Sequence, residues 1–539
     1  MPTTRKRTGA TNATGTKKQK TNTGQKKSQP EVKVDEGFNE DAKVHVHIDD
    51  DGTIWDASLN LSNVSGNNNK FYALQALADE KKKSRFYSHT RWGRVGEEGQ
   101  IKTMEESSLE DAKKDFEKKF KEKTGLEWSD RMDKPKDKKY TYIEKSYEDD
   151  DVDEEAGDDE EDSKASVKSE LDLPTQRLME LIFNENHFNA VLEEIGYNKD
   201  KLPLGKLSKT TLKAGFEQLR ELASLVKHPS LAKNKYNRDR KEVIEEWTNK
   251  YYSTIPHVFG RNRPPMIDNN DAITKEVAML DTLTDMEVAN TIMKADSTKS
   301  KDGASVSRLD QHFKSLKLKE LTPLEHKSNE YKELQKLLLN TSSDGHGLRY
   351  RLQDIFRVER PGEAERFEKS VKKLKDRQTF LLWHGSRTTN YGGILSQGLR
   401  IAPPEAPLNG YAFGKGIYLA DCSSKSANYC MSSMSGGTGI LLLVEAELSR
   451  PLYEIDTGDS NAEEAAKKHN CIATKGIGQE VPLKFKDAGC VHESLKRVQM
   501  PDGKLGQNKN HKGGYLQYNE YISYNVEHLK IKYLLKVAM

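Results

Sequence analysis

Long apolar runs are absent from this sequence of 539 residues. No stretch approaches the roughly 18 consecutive apolar residues that a membrane-spanning helix requires. The segment from Met1 to Gln29 also lacks the apolar core of a secretory signal peptide. We therefore expect neither a membrane partner nor export through the secretory pathway.

Cysteine is scarce as well, with four residues that form no Cys-x-x-Cys pair. So few scattered thiols predict no disulfide framework, and they fit a reducing compartment. Two short sets, His469-Asn-Cys471 and Cys490-Val-His492, are spaced more tightly than the about two to four intervening residues usual for zinc ligands. We interpret them as packing or surface residues and predict no metal site.

Two nucleotide-binding motifs are also missing. The sequence has no G-x-x-x-x-G-K-[ST] phosphate loop. Gly414-Lys-Gly416 lacks the third glycine of a dinucleotide fingerprint and opens no clear helix. The missing phosphate loop argues against a P-loop nucleoside triphosphatase. The missing fingerprint argues against a dehydrogenase that holds its dinucleotide on a glycine-rich turn.

The charges nearly cancel, with 87 basic and 85 acidic residues, but they are segregated along the chain. Basic residues from Arg5 to Lys27 meet no acidic residue before Glu31. This pattern predicts a disordered basic arm over residues 1–42, suited to nucleic-acid binding or nuclear import, with a solubilising tail as the alternative.

A second charged block separates two regions of ordinary composition. The acidic run Glu148–Asp162 repels itself and is poor in apolar residues, which predicts a solvated linker over 148–172. Before it, residues 43–147 show strand-like alternation and scattered aromatic residues. This segment is predicted to be a compact domain.

Helical periodicity dominates residues 173–306. One set of apolar residues recurs at steps of four and three and so shares a helical face: Leu212, Phe216, Leu219, Ala223 and Val226. Ser208 is suited to cap that helix. A helical bundle is predicted, with further amphipathic runs at Leu178–Phe188, Ile244–Tyr252 and Val277–Met293.

The pattern changes to strands and glycine-rich turns after residue 318. The predicted strands are Thr379–Trp383, Gly439–Val444 and Leu529–Tyr533, the last with the alternation of a half-exposed strand. The region is therefore predicted to be mixed α/β or mostly β, with long loops.

This region also contains an ordered series of motifs: His384-Gly385-Ser386-Arg387, Gly398-Leu-Arg400, Gly410-Tyr411, Gly414-Lys-Gly416-Ile-Tyr418, Ser424-Lys425-Ser426-Ala-Asn-Tyr429 and Tyr518-Asn519-Glu520-Tyr521. Together they resemble the catalytic domain of the poly(ADP-ribose) polymerases. A lone His-Gly pair would carry little information, whereas the whole series in this order is highly specific.

Two upstream segments extend the resemblance. Trp92-Gly93-Arg94 is similar to the signature of a WGR domain, and Leu202-Pro-Leu-Gly-Lys206 with Tyr252–Gly260 is similar to the family's helical regulatory domain. The resemblance implies a multidomain α+β chain. Its expected parts are a small mixed α/β WGR domain over 43–147, an all-α regulatory bundle over 173–306, and a β-rich α+β ADP-ribosyltransferase domain of diphtheria-toxin-like fold over 318–539.

The resemblance also implies roles for individual residues. Glu520, His384 and Tyr418 would be catalytic with Lys425 in support, and Glu520 would stabilise the cationic transition state. The residues expected to bind NAD⁺ are His384, Gly385, Ser386, Arg400, Tyr411, Tyr418, Ser426 and Tyr429. NAD⁺ would be a consumed substrate, in agreement with the missing dinucleotide fingerprint, and no metal is expected.

Family resemblance further implies activation by damaged DNA, nuclear localisation and a role in DNA repair. Trp92 would stack on an exposed sugar or base at a nick or end, and Arg94 would bind a phosphate. A core position for Trp92 is the alternative. Protein acceptors would include the chain itself and histones, and an accessory protein that completes the acceptor site is a further candidate partner.

One position departs from the family pattern, because Ala412 stands where methionine is common, at the border of the acceptor site. Three hypotheses follow: a DNA-break-activated enzyme that makes poly(ADP-ribose), a mono-ADP-ribosyltransferase, and a catalytically weak scaffold that binds DNA ends. The joint presence of His384, Tyr418 and Glu520 argues against the scaffold.

Overall fold

The computed structural model describes residues 32–38, 42–82, 84–145, 147, 168–197, 207–295, 307–509, 511 and 513–539. The predicted basic arm up to residue 31, the acidic run and the Leu202–Lys206 motif lie outside the described residues. Within the described ranges, no helix is both long enough and apolar enough to cross a membrane.

The N-terminal domain (residues 42–147) is an antiparallel sheet with a helix packed on it. Its elements are β1 Val44–Val46, β2 Asp56–Asn63, β3 Asn68–Asp79, β4 Phe86–Arg94, β5 Gln100–Glu106, α1 Leu109–Thr124 and β6 Thr141–Ile143. The strand order is β5-β4-β3-β2-β6, with β1 paired to β3. Ser108 caps α1 by accepting a hydrogen bond from the Asp111 amide at 3.2 Å. Phe116 on the buried face of α1 packs edge to face on Trp128.

The helical domain (residues 168–316) contains α2 Leu173–Ile182, α3 Glu185–Glu194, α4 Lys209–Lys227, α5 Leu231–Tyr236, α6 Arg240–Thr254, α7 Asn270–Ala295 and α8 Arg308–Ser315. The predicted cap is confirmed, because Ser208 Oγ accepts a hydrogen bond from the Thr211 amide at 3.1 Å. The predicted apolar face of α4 is confirmed as well. Four of its residues are buried and Val226 packs partly buried against the same core.

The predicted amphipathic run Leu178–Phe188 is divided between two helices. α2 ends at Ile182, and Asn184 has an extended backbone whose side chain accepts a hydrogen bond from the His187 amide at 3.2 Å. Asparagine is a favoured N-cap residue, so a new helix begins there although the apolar pattern continues. Buried residues of both helices belong to the same apolar core.

The C-terminal domain (residues 320–539) is built on two principal sheets. Its elements are β7 Glu320–Pro323, α9 Asn329–Asn340, β8 Arg351–Glu359, α10 Glu363–Val371, β9 Thr379–Ser386, α11 Tyr391–Gln397, β10 Ile417–Leu419, α12 Ser423–Asn428, β11 Thr438–Glu447, β12 Tyr453–Ile455, α13 Ala462–Lys468, β13 Ala473–Gly476, β14 Glu480–Pro482, β15 Phe485–Asp487, β16 Gln499–Pro501, β17 Leu505–Gln507, β18 Glu520–Ser523 and β19 Leu529–Ala538. The larger sheet has the order β15-β16-β9-β11-β19-β8-β7, the smaller β10-β18-β13-β12, and β14 pairs with β17.

The three strands predicted from the sequence are confirmed and lie side by side as β9, β11 and β19. Both faces of this part of the sheet are buried. Leu442 belongs to the apolar core shared with the helical domain, whereas Leu441 and Leu443 belong to a second core on the opposite face. Burial on both faces explains why β11 is continuously apolar rather than alternating.

A β-bridge between Trp383 and Ala420 joins the two sheets. Each residue donates its amide to the carbonyl of the other, at 2.8 Å and 2.9 Å. β9 continues beyond the bridge to His384 and Gly385, and β10 ends just before it. The bridge therefore places the end of one sheet against the edge of the other.

The helical domain contacts both neighbours. On one side, the buried Asn69 of β3 donates its side-chain amide to the His257 carbonyl at 2.8 Å. On the other side, α7 packs so closely on α11 that a Cβ added to Gly392 would lie 2.7 Å from Ala289 Cβ. α7 is thus positioned directly against the region that carries the transferase-like motifs.

Candidate active site

Gly385 lies at the closest approach between β9 and α12. A Cβ at this position would lie 1.9 Å from the Ser426 carbonyl oxygen, so no residue other than glycine fits. Ser426 itself is buried. The sequence predicted both residues for the same ligand, and the fold brings them together. Ser386 follows directly, and its Oγ accepts a hydrogen bond from Asn390 Nδ2 at 3.0 Å.

His384 precedes this glycine and is oriented by β10. Its Nδ1 lies 3.0 Å from the Tyr418 carbonyl oxygen, and because a carbonyl only accepts, Nδ1 carries the hydrogen. Burial lowers the pKa of His384, which favours the neutral ring. Nε2 is then left as an acceptor, suited to a hydroxyl donor on a ligand.

Glu520 opens β18 and forms an ion pair with Lys425 of α12. Lys425 Nζ lies 2.6 Å from Glu520 Oε1, and both side chains are 14% exposed. Lys425 also donates to the carbonyls of Tyr518 and Asn519, at 3.3 Å and 3.4 Å. The lysine therefore fixes the direction of the Glu520 carboxylate.

Two predicted tyrosines surround this carboxylate. Burial raises the pKa of Tyr418, partial burial of the phenol raises that of Tyr429, and the charge of Glu520 adds to both rises. The Tyr418 hydroxyl is held, since it accepts from the Phe413 amide at 2.8 Å and donates to the Gly414 carbonyl at 2.9 Å. Tyr429 is 60% exposed, so its ring is available to a flat ligand.

Asp421 was not predicted from the sequence, yet it holds both chain neighbours of Glu520. Its Oδ2 accepts from Asn519 Nδ2 at 2.7 Å and from the Tyr521 hydroxyl at 3.0 Å. Asp421 is fully buried, and its Oδ1 has no hydrogen-bond partner among the described residues. Burial raises the pKa of Asp421. A lone aspartate two residues after a strand gives no sequence signal, because its partners lie a hundred residues away.

Helix α7 contacts the remaining predicted residues. The Tyr411 hydroxyl donates to Asp281 Oδ2 at 2.7 Å, and the Arg400 guanidinium pairs with Asp285. Arg387, which the sequence did not single out for a role, donates to Thr282 Oγ1 at 2.8 Å. Two of the side chains expected to face the ligand, Arg400 and Tyr411, are therefore engaged by the helical domain.

A second predicted ligand surface lies in the N-terminal domain. Trp92 is partly buried and stacks on Tyr72, with ring centroids 5.7 Å apart. Arg94 bonds to backbone carbonyls of the helical domain, namely that of Gly260 and, at 2.8 Å, that of Asn262. The guanidinium thus bridges the N-terminal and helical domains.

The described parts of the chain contain no group of three or more histidine, cysteine, aspartate or glutamate residues placed to hold a metal ion. Cys471 is buried and Cys490 is exposed. Cys490 Sγ instead lies 3.8 Å from Glu333 Oε2. These contacts fit the packing interpretation of the two His and Cys sets.

Three family models match the chain. They are the poly(ADP-ribose) polymerase catalytic domain over residues 328–539, the poly(ADP-ribose) polymerase regulatory domain over 169–313 and the WGR domain over 55–135. Poly [ADP-ribose] polymerase 2 of Zea mays is 38% identical over 514 residues, which cover 94% of this chain and 73% of the relative.

Poly [ADP-ribose] polymerase 2 of Homo sapiens is 37% identical over 503 residues, covering 92% of this chain and 81% of the relative. Poly [ADP-ribose] polymerase 1 of Gallus gallus is 36% identical over 514 residues, covering 94% of this chain and 47% of the relative. The chain belongs to the poly(ADP-ribose) polymerase family. Membership of the poly(ADP-ribose) polymerases confirms the multidomain α+β fold class and the NAD⁺ ADP-ribosyltransferase class predicted from the sequence.

Asp421 offers a test of how this poly(ADP-ribose) polymerase positions its carboxylate. Asp421→Leu removes the acceptor of Asn519 and Tyr521, so Glu520 should lose its direction. We expect kcat for nicotinamide release to fall roughly tenfold to a hundredfold with little change in KM for NAD⁺. Asp421→Asn keeps a side-chain oxygen and should retain more activity. Equal losses in the two variants, with an unchanged melting temperature, would contradict this role.

Proposed function

We propose that this chain transfers ADP-ribose from NAD⁺ to protein acceptors and extends it to poly(ADP-ribose) when DNA is broken. The observation that carries the proposal is the Lys425–Glu520 pair beside Gly385 and His384. A directed carboxylate near a backbone position that only glycine fits suits a reaction whose main requirement is to orient a ligand and stabilise positive charge.

The bond to be broken joins nicotinamide to C1′ of its ribose. Nicotinamide leaves with the electron pair of that bond, and C1′ acquires oxocarbenium character. Glu520 is proposed to accept a hydrogen bond from a ribose hydroxyl and to stabilise this charge. The acceptor oxygen then bonds to C1′, and its proton passes to the Glu520 carboxylate, which acts as general base.

The other site residues are proposed to orient NAD⁺. The backbone of Gly385 and the hydroxyl of Ser426 suit the nicotinamide carboxamide, because both lie at one contact. The rings of Tyr418 and Tyr429 would flank the pyridine. The Nε2 atom of His384 would accept from the adenosine ribose, beside Ser386.

The helical domain is proposed to screen the NAD⁺ site until DNA binds. Arg400 and Tyr411 were both expected at the ligand. In the arrangement of domains described above, which we call the closed arrangement, both bond to acidic residues of α7. These carboxylates occupy the donors that an anionic dinucleotide would need. Opening of α7 would release them, which is the two-state element that activation requires.

The N-terminal domain is proposed to transmit DNA binding to α7 through Arg94. A guanidinium has a finite set of donors, so a phosphate bound by Arg94 competes with the Gly260 and Asn262 carbonyls. Loss of those carbonyl contacts would loosen the helical domain. Exposed Lys81 and Lys82 would add sequence-independent phosphate affinity.

The proposed partners are nicked or broken DNA and protein acceptors, the enzyme itself and histones among them, in the nucleus. An accessory protein that completes the acceptor site remains a candidate partner. The mono-ADP-ribosyltransferase stays the second candidate function because Ala412, exposed beside Phe413, removes a larger side chain from the acceptor border. Radiolabelled NAD⁺ with nicked DNA distinguishes the functions on one gel, where the polymerase gives a ladder, the mono-transferase a discrete band and a scaffold no label.

Glu520→Gln tests the carboxylate. The amide keeps the shape of the side chain but cannot take a proton, so we expect elongation to be lost by a hundredfold or more. DNA affinity should not change, since Glu520 lies outside the N-terminal domain. Chain length on gels and DNA binding by fluorescence anisotropy are the measurements. Glu527→Gln, an exposed site near the same end of the chain, is the control, and wild-type chains in Glu520→Gln would refute the role.

Arg94→Ala tests the bridge between DNA and the helical domain. We expect the DNA-free activity to rise, because the variant loses the Gly260 and Asn262 contacts that hold the helical domain, and the stimulation by nicked DNA to fall severalfold. Arg94→Lys keeps the charge but loses the planar fork that reaches two carbonyls, so it should behave like alanine. If Arg94→Lys retains full stimulation, attraction between a positive side chain and DNA phosphate is enough to explain the role of Arg94.

Asp281 is expected to make the screening of the NAD⁺ site by the helical domain depend on pH. Burial raises its pKa from 3.8 to about 7 in the closed arrangement, where Tyr411, Asp285, Arg400 and Lys415 also act on it. The closed state therefore binds the proton more tightly than an open state with an ordinary carboxyl. Protonation of Asp281 at acid pH therefore stabilises the closed state, and this stabilisation is lost as pH rises through about 7.

We therefore expect the ratio of DNA-free to DNA-saturated activity to rise between about pH 6 and pH 8. Asp281→Asn should flatten the profile because the amide does not titrate. Asp271→Asn, exposed in the first turn of the same helix, should leave it unchanged. A wild-type ratio that is independent of pH would show that the Asp281 carboxyl does not control opening.

A further inference from the structure

Tyr515 is a large aromatic residue on the surface close to the Glu520 strand. It is 62% exposed, and none of the steps above uses it. A ring exposed to solvent near the strand that carries Glu520 is available to a flat ligand.

The backbone around Tyr515 is held on both sides. Leu516 is buried, and a Cβ at Gly476 would lie 2.7 Å from its Cδ1. Gly476 is the cross-strand partner of Glu520, so Leu516 is anchored beside the catalytic strand. On the other side, a Cβ at Gly514 would lie 2.1 Å from the Asp456 carbonyl oxygen. Tyr515 therefore projects from a closely packed segment.

Leu516, the neighbour of Tyr515, packs at Gly476 of β13, and β13 flanks the Glu520 strand on the side opposite to β10, which carries Tyr418. A Cβ at Gly458, in the segment after β12, would lie 2.8 Å from the Tyr515 hydroxyl oxygen and 3.2 Å from the Ala412 carbonyl oxygen. Ala412, Gly458 and Tyr515 thus form one border, which we call the acceptor-side rim.

The reaction requires the acceptor to approach from that side. Nicotinamide and the attacking hydroxyl occupy opposite faces of the ribose, and nicotinamide is assigned to the side of Tyr418 and Tyr429. Partial burial raises the pKa of the Tyr515 phenol, and the charge of Glu520 adds to the rise, so the two groups are within electrostatic reach. The small side chain of Ala412 leaves the rim open.

We propose that Tyr515 determines acceptor specificity by stacking on the adenine of the growing chain. Every unit of poly(ADP-ribose) ends in an adenosine, and an exposed aromatic ring offers a face for such a base. A protein side chain has no comparable flat group at a constant position. The inference rests on the proposed polymerase function and adds a residue that favours elongation over first attachment.

Tyr515→Ala with nicked DNA tests the proposal. We expect mean chain length to fall at least about fivefold, the lower end of the loss typical when a base loses its aromatic partner. The rate of first attachment and the KM for NAD⁺ should be unchanged. Tyr515→Phe keeps the ring and should give wild-type chains. Leu483→Ala, also on the surface of this domain at 64% exposed, is the control.

The outcomes separate this inference from the function on which it rests. If the wild-type enzyme makes no ladder, the polymerase function fails. If the wild type makes a ladder and Tyr515→Ala makes the same one, the stacking role is overturned. Equal loss of first attachment and elongation would also overturn it, because Tyr515 would then serve the protein acceptor.

Discussion

The β-bridge between Trp383 and Ala420 is the constraint on which the site depends. It joins two sheets that otherwise carry different functional groups. One sheet contributes His384 and Gly385 at the end of β9, and the other contributes Tyr418 and Glu520 on paired strands. Because Trp383 is fully buried and donates its indole N–H to Thr341 at 3.0 Å, the junction has little freedom to move. A rigid junction suits a reaction that depends on orientation.

Two polar side chains proposed to bind the substrate also hold the helical domain against the C-terminal domain. The same Arg400 and Tyr411 that are proposed for the substrate bond to α7 in the closed arrangement. Such sharing couples the two states without a separate inhibitory segment, because each donor serves only one partner at a time. The tight packing of α7 on Gly392 then makes a partial displacement difficult and favours two distinct positions.

The interface between the N-terminal and helical domains is also held by polar side chains. It relies on side-chain donors directed at backbone carbonyls, such as Asn69 to His257 and Arg94 to Asn262. Bonds of this kind specify geometry closely but are individually modest in free energy. A strong competing ligand can rearrange an interface of this kind, as the proposed activation by DNA requires.

Much of the secondary structure of this protein could be predicted from local sequence patterns. The α4 face, the Ser208 cap and the three central strands followed from periodicity and capping signals, and the family followed from the resemblance of an ordered series of motifs. The division at Asn184 was missed because one capping side chain outweighed a continuing apolar pattern. Only the tertiary structure shows the contacts of Asp281 and Asp421 and the exposure of Tyr515, on which their proposed roles rest. Their partners lie far away in the chain, and burial, charge pairing and exposure arise only when the elements have packed.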